Sequence, residues 1–122
     1  MQKKILIVDD EPDTVLLLYA RLTGNDYEVF KAYNGKEALA IAKREKPDLI
    51  LLDILMPVMD GSTTASFLKE DPDTKDIPII FLTCLFTKED EERGKMDRDR
   101  YFVAKPYDGD QLLRVIKENI RK

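Results

Sequence analysis

Three aspartates stand where chemistry is available. Asp9 and Asp10 follow the run Lys4-Ile5-Leu6-Ile7-Val8, and Asp53 follows Leu49-Ile50-Leu51-Leu52. Both runs are short, aliphatic and nearly continuous, the pattern of strands covered on both faces. The acids therefore sit at strand ends. If the fold gathers them, three crowded negative charges are costly unless one protonates or a cation joins them. Magnesium suits such a rim, because it is hard, prefers oxygen, keeps several waters and takes one or two carboxylates plus phosphate oxygens. Taken alone, Asp9-Asp10 reads more readily as helix capping and dipole complementation.

Two further residues extend the set. Thr83 ends an apolar run, and Lys105-Pro106 follows Tyr101-Phe102-Val103-Ala104, so that an ammonium on a neighbouring loop can reach the carboxylates. Singly, each has a bland reading. Thr83 caps a strand end, Lys105 is a surface lysine before a turn, and Asp60-Gly61 is a cap and turn. Phe102 fits a sheet core, and Cys84 fits a small core site. The chain has no histidine, which excludes histidine-based triads, imidazole metal ligands and a phosphohistidine formed on this chain. Chemistry must come from carboxylates, hydroxyls and lysine.

The elements that would position these groups alternate. Lys4–Val8 reads as the first strand. A helix then opens at the acidic Glu11-Pro12-Asp13-Thr14, with Val15, Leu18, Tyr19 and Leu22 at helical spacing and Gly24-Asn25 as its stop. Tyr27 to Tyr33 is a second strand, followed after Asn34-Gly35 by a helix carrying Ala38, Leu39, Ile41 and Ala42 and closed by Pro47. Leu49 to Leu52 is the third strand. Asp60-Gly61-Ser62 starts a helix with Ala65, Phe67 and Leu68, and Ile77 to Leu82 is the fourth strand. Thr87 to Arg100 offers almost no apolar face, with Met96 as its main anchor, and reads as a solvated, partly frayed helix, or alternatively as a mobile output surface that orders on activation or binding. Tyr101 to Ala104 is the fifth strand, and Leu112, Leu113, Ile116 and Ile120 stripe a last helix. Strands alternating with helices imply a mostly parallel sheet with right-handed crossovers and helices on both faces. In such sheets ligands bind beyond the carboxyl ends of the strands, where strand order reverses. Asp9, Asp10 and Asp53 belong to that edge.

At 122 residues the chain has the size of one domain able to bury a core without disulfides or structural metal. A composition 43% hydrophobic and 36% charged is that of a globular protein rather than a disordered one. A net charge of -4 argues against a nucleic-acid grip. The single cysteine permits no internal disulfide and fits a reducing compartment. No apolar stretch approaches the roughly 18 to 20 residues that span a bilayer, no signal-peptide pattern is present, and a cytoplasmic location is expected.

Four blocks together carry a resemblance: Ile5-Leu6-Ile7-Val8-Asp9-Asp10-Glu11-Pro12, Leu51-Leu52-Asp53-Ile54-Leu55-Met56-Pro57-Val58-Met59-Asp60-Gly61, Leu82-Thr83, and Phe102-Val103-Ala104-Lys105-Pro106-Tyr107. With the spacings from Asp53 to Thr83 and to Lys105, the chain resembles the response-regulator receiver domain of two-component signal transduction, the CheY-like superfamily, from Lys3 to Arg121. The resemblance implies a flavodoxin-like α/β fold, a doubly wound (βα)5 sandwich with a five-stranded parallel sheet of order 2-1-3-4-5, over residues 1–122 as a single receiver domain. It implies Asp53 as phosphoacceptor, with Asp9, Asp10, Asp53 and the backbone carbonyl of Leu55 holding magnesium, or manganese as an alternative. Lys105 would pair with a phosphoryl oxygen, Thr83 would bond another, Thr83 and Phe102 would form the switch, and the Lys105-Pro106 peptide would be cis. The donor would be a histidine kinase or histidine phosphotransfer domain. The output would pass to a downstream effector domain or protein through the face around strand five and its flanking helices. The chain would catalyse its own phosphorylation and dephosphorylation without being a turnover enzyme. It would act as a monomer or phosphorylation-dependent dimer, without direct contact to nucleic acid or membrane.

The sequence departs from the common family pattern at Cys84, where a small residue such as alanine is usual, and at Met96-Asp97-Arg98-Asp99-Arg100, which replaces the usual Gly-Ala turn. Tyr101 sits beside the switch candidate. Competing readings are a phosphorylation-independent receiver-like docking module, an aspartyl-phosphate phosphatase of the haloacid-dehalogenase type, and a flavodoxin-like nucleotide carrier. The phosphatase class resembles Asp-x-Asp-x-Thr or Val after its first strand, unlike Asp9-Asp10-Glu11-Pro12-Asp13. A nucleotide carrier would need a phosphate loop where this chain is acidic.

Overall fold

The structure, a computed structural model, describes residues 2–53, 61–83, 100–104 and 109–120. Strands β1 (Lys4–Val8), β2 (Glu28–Ala32), β3 (Leu49–Asp53), β4 (Ile79–Thr83) and β5 (Arg100–Ala104) form one sheet in the order β2-β1-β3-β4-β5. Every neighbouring pair is parallel. This is the doubly wound order, and its direction reverses between β1 and β3, which opens a crevice beyond their carboxyl ends.

Alternation along the strands builds two cores. Ile5 and Ile7 of β1, Leu49 and Leu51 of β3, and Ile80 and Leu82 of β4 face one side. There Val15, Leu18 and Leu22 of α1 (Pro12–Thr23) meet Leu112, Val115 and Ile116 of the helix Gly109–Asn119. Leu6, Val8, Ile50, Leu52, Ile79 and Phe81 face the other side, against Ala38 and Ala42 of α2 (Gly35–Glu45) and Ala65 and Leu68 of α3 (Gly61–Glu70). The helix Gly109–Asn119, numbered α4 among the described elements, carries the strongest apolar stripe on an otherwise polar sequence. β1 and β3 are buried on both faces because helices cover both, which explains their unbroken aliphatic runs.

Local chemistry sets the ends. Asn34 caps α2 through Oδ1, which accepts the Glu37 N–H at 2.9 Å, while Glu37 Oε1 accepts the Tyr33 N–H at 2.8 Å. This is a reciprocal capping arrangement shifted by one residue. It takes Tyr33 out of the ladder, so β2 stops at Ala32 and not at Tyr33. Pro12 occupies the first turn of α1, whose preceding residue Glu11 makes no side-chain cap. Lys46 ends α2 in the left-handed region at φ 47°, its N–H donating to the Ala42 carbonyl at 2.9 Å.

β4 begins at Ile79 rather than Ile77. The Ile77 N–H is spent on a turn to the Thr74 carbonyl at 3.1 Å, and Pro78 has no N–H to give. The buried Thr74 hydroxyl donates to the Leu68 carbonyl at 2.6 Å, which fastens the end of α3. β5 starts one residue earlier than its apolar run, since Arg100 pairs with Ile79. The helical reading of Thr87 to Arg100 lies outside the described residues except at its last position, Arg100, which belongs to β5 instead.

Candidate functional site

The register of the central strands builds the site. Val8 lies opposite Leu52 in the β1–β3 pairing, so the next residues, Asp9 and Asp53, emerge side by side at the carboxyl edge of the sheet. The Asp9 N–H donates to the Ala32 carbonyl at 3.1 Å and carries the β1–β2 ladder one step past the strand. Asp9 Oδ1 accepts the Glu11 N–H at 3.0 Å, a tight turn that redirects the chain into α1. Asp9 is thus fixed from its backbone and from its side chain. Asp10, between the two anchored residues, is the solvent-facing member of the group.

One carboxylate oxygen from each of Asp9, Asp10 and Asp53 lies within 4.8 Å of the others. Asp9 is fully buried and Asp53 is 6% exposed, so two of the three charges stand in a largely protein environment. Oxygens around an ion bound at about 2.1 Å are at most about 4.2 Å apart. Small side-chain movements would close this cluster on a hard cation, and its donor set is all oxygen. A carboxylate at the end of a buried strand, beside a cation site open to solvent through Asp10, can act as a nucleophile toward a phosphoryl group whose charge the cation offsets.

The remaining residues singled out from sequence divide by position. Thr83 closes β4 and pairs with Ala104, and Asp53 pairs with Leu82, so the backbone of Thr83 is one step beyond the position beside Asp53. Phe102 lies in β5 opposite Phe81. The side-chain roles assigned to Thr83 and Phe102 lie outside the described residues, as do Leu55, Asp60, Cys84, Lys105 and Pro106. Sequence reasoning passed over two backbone groups that hold Asp9, the Ala32 carbonyl and the Glu11 N–H. No side-chain signal could have revealed them, because both are main-chain atoms. It also passed over Leu16 and Leu17 of α1, which are 57% and 74% exposed.

Comparison with known proteins agrees with this geometry. The family model described as "Response regulator receiver domain" matches residues 5–117. "Response regulator PleD" of Caulobacter vibrioides is 42% identical over 121 residues, covering 99% of this chain and 27% of that protein. The chain therefore spans about a quarter of the length of that relative. Among solved structures, the chemotaxis protein CheY4 of Vibrio cholerae superposes with a TM-score of 0.86 at 30% identity, over 98% of this chain and 100% of that one. The receiver domain of the sensor histidine kinase PA1611 of Pseudomonas aeruginosa superposes with a TM-score of 0.83 at 28% identity, over 97% of each chain, and carries a magnesium ion coordinated in its active site cleft. No helix among the described residues is long and apolar enough to cross a membrane. With the strand order, the acidic edge and the family match in agreement, the chain belongs to the response-regulator receiver domains of two-component signalling.

Proposed function

We propose that Asp53 accepts a phosphoryl group from a phosphohistidine on a partner protein and that the resulting acyl phosphate switches the surface around β5 and its flanking helices. The observation that carries this reading is the cluster of Asp9, Asp10 and Asp53 at the strand-order reversal. A carboxylate oxygen of Asp53 attacks phosphorus, the P–N bond of the partner breaks, and its imidazole leaves with the electron pair. No general base is required, because the nucleophile is already ionised.

Asp9, Asp10 and Asp53 would hold magnesium, with the Leu55 carbonyl as a further ligand and manganese as a substitute. When bound, the ion supplies charge neutralisation on the transferring oxygens. The fixed turn through the Glu11 N–H keeps the Asp9 carboxylate on the site edge. Lys105 pairs with a phosphoryl oxygen and the Thr83 hydroxyl bonds another. Movement of Thr83 toward the phosphoryl group draws Phe102 inward and shifts a two-state population. The domain catalyses its own phosphorylation and dephosphorylation in the cytoplasm without being a turnover enzyme. Its partners are a histidine kinase or phosphotransfer domain and a downstream effector.

The test is transfer from a phosphohistidine-bearing donor domain labelled on phosphorus. Label moving to the wild type in magnesium, but not to Asp53→Asn and not in excess chelator, is the expected result. Equal labelling of Asp53→Asn would overturn the assignment, and no labelling of either protein by any donor would favour the docking-module reading.

A further inference from the structure

α1 carries two rows of residues on opposite faces. Val15, Leu18 and Leu22 are buried toward the sheet. At about 3.6 residues per turn, Asp13, Leu17, Ala20 and Gly24 fall on the far side, and all four are exposed. Gly24 keeps helical dihedrals, φ -66° and ψ -15°, so the outer row runs through the end of the helix. Its alternating spacing, 13 to 17 to 20 to 24, is that of the seam between two helices of a coiled coil. Leu16 and Arg21 flank it. One exposed leucine needs no explanation. Leu16 and Leu17 are neighbours, however, and an open groove of about 560 Å³ beside them is lined by Leu17, Leu18, Ala20, Arg21, Gly24 and Asn25.

The outer row is complementary to itself when reversed. In an antiparallel pair of α1 helices, related by a two-fold axis passing between residues 18 and 19, Leu17 of each copy lies opposite Ala20 of the other, and Asp13 lies opposite Gly24. Leu17 then enters the groove beside Ala20, a large side chain against a small one. Arg21 of each copy comes next to Asp13 of the other, so symmetry makes the ion pair twice. Among the described residues neither Asp13 nor Arg21 has an ion-pair partner, and the Arg21 guanidinium rests against Gly109. A parallel pair would set Leu17 on Leu17, Asp13 on Asp13 and Arg21 on Arg21, with like charges facing. The charges therefore select the antiparallel arrangement.

We propose that the outer row of α1 is a self-docking surface, on which a second copy of this chain seats its own α1 antiparallel. The proposal goes beyond the phosphoryl chemistry at Asp53 and stands independently of it. A single helix face is smaller than the about 800 Å² per partner of a standard interface. The dimer is therefore weak, and its population follows protein concentration.

The experiment is sedimentation equilibrium in low salt, from micromolar to millimolar protein, for wild type, Leu17→Ser, Asp13→Arg, Arg21→Asp and an equimolar mixture of the two charge variants. Thermal midpoints are recorded alongside and should barely move, because all three positions are exposed. The wild type should self-associate. Leu17→Ser should weaken the association about tenfold, as loss of a central apolar anchor does. Asp13→Arg and Arg21→Asp should each weaken it about fivefold, since each turns two surface ion pairs into two repulsions. The mixture should return to about the wild-type affinity, because a heterodimer of the two variants pairs opposite charges at both ends. That rescue requires a second copy reversed on the first. A wild type that stays monomeric at millimolar concentration, or a Leu17→Ser that associates as the wild type does, would overturn the proposal. So would a mixture no tighter than its components. Amide shifts of Leu17 and Ala20 that move only when a phosphohistidine-bearing donor domain is added would also overturn it, by giving the surface to that partner.

Discussion

Replacing Asp53 by asparagine should stabilise the metal-free protein. The substitution keeps the shape of the side chain and deletes one of three charges whose oxygens lie within 4.8 Å of one another. Two unit charges at that 4.8 Å limit repel by about 0.9 kcal/mol at the dielectric of water and about 3.5 kcal/mol at an effective value near 20. Asp53 faces two such neighbours, so its charge carries at least about 1.7 kcal/mol of repulsion that is nearly absent in the unfolded chain, where Asp9 and Asp53 are far apart. Asp53 also makes native interactions that the amide partly forfeits, and the expected net gain is roughly 2 kcal/mol in low salt at neutral pH.

Urea unfolding in excess chelator, followed by circular dichroism for both proteins, measures it. In magnesium the order should narrow or reverse, because a ligand at a hundredfold excess over its dissociation constant stabilises the folded wild type by about 2.7 kcal/mol. If Asp53→Asn in chelator is less stable than wild type, or differs by no more than the about 0.5 kcal/mol of an ordinary surface change, the cluster is not electrostatically unsettled. The argument for a cation there would then fail.

Three further outcomes follow from the scaffold. Leu51→Ala, fully buried in β3 between β1 and β4, should cost about 2 to 5 kcal/mol by denaturant unfolding while leaving the fold assignable by amide spectra. Asn34→Ala should cost about 1 kcal/mol by loss of the bond to the Glu37 N–H, and Asn34→Asp should cost far less because aspartate caps equally well. The Asp71 carboxyl is held below the usual carboxylate range by the Asp73 N–H, at 2.9 Å, and secondarily by Lys43, at 3.3 Å. A depressed folded-state pKa contributes stability above the unfolded value and loses it as pH falls through the folded one. The stability difference between wild type and Asp71→Asn, followed by urea titrations at successive pH values, should therefore shrink below about pH 4.

The strands and helices that carry the site were legible because their determinants are local. Two aliphatic runs ending in Asp9-Asp10 and Asp53, alternating with amphipathic helices, are enough to place three acids at one edge of a parallel sheet. The sheet order needed the resemblance, since strand neighbours are chosen by tertiary packing. Boundaries shifted where side chains or turns compete with the ladder, as when Glu37 takes the Tyr33 N–H and Thr74 takes that of Ile77. What holds Asp9 could not be read, because the Ala32 carbonyl and the Glu11 N–H are present in any sequence. The helical spacing leaves Leu16 and Leu17 off the apolar stripe of α1, and they are exposed while Val15, Leu18 and Leu22 fill the face toward the sheet.

The most direct test of the central claim is intact-mass analysis after incubation with acetyl phosphate, for wild type and Asp53→Asn, with magnesium and in excess chelator. One added phosphoryl group on the wild type, absent in Asp53→Asn and absent without the metal, is the result expected if Asp53 is the phosphoacceptor beside a cation site. An adduct that persists in Asp53→Asn, or that forms equally well in chelator, would contradict it.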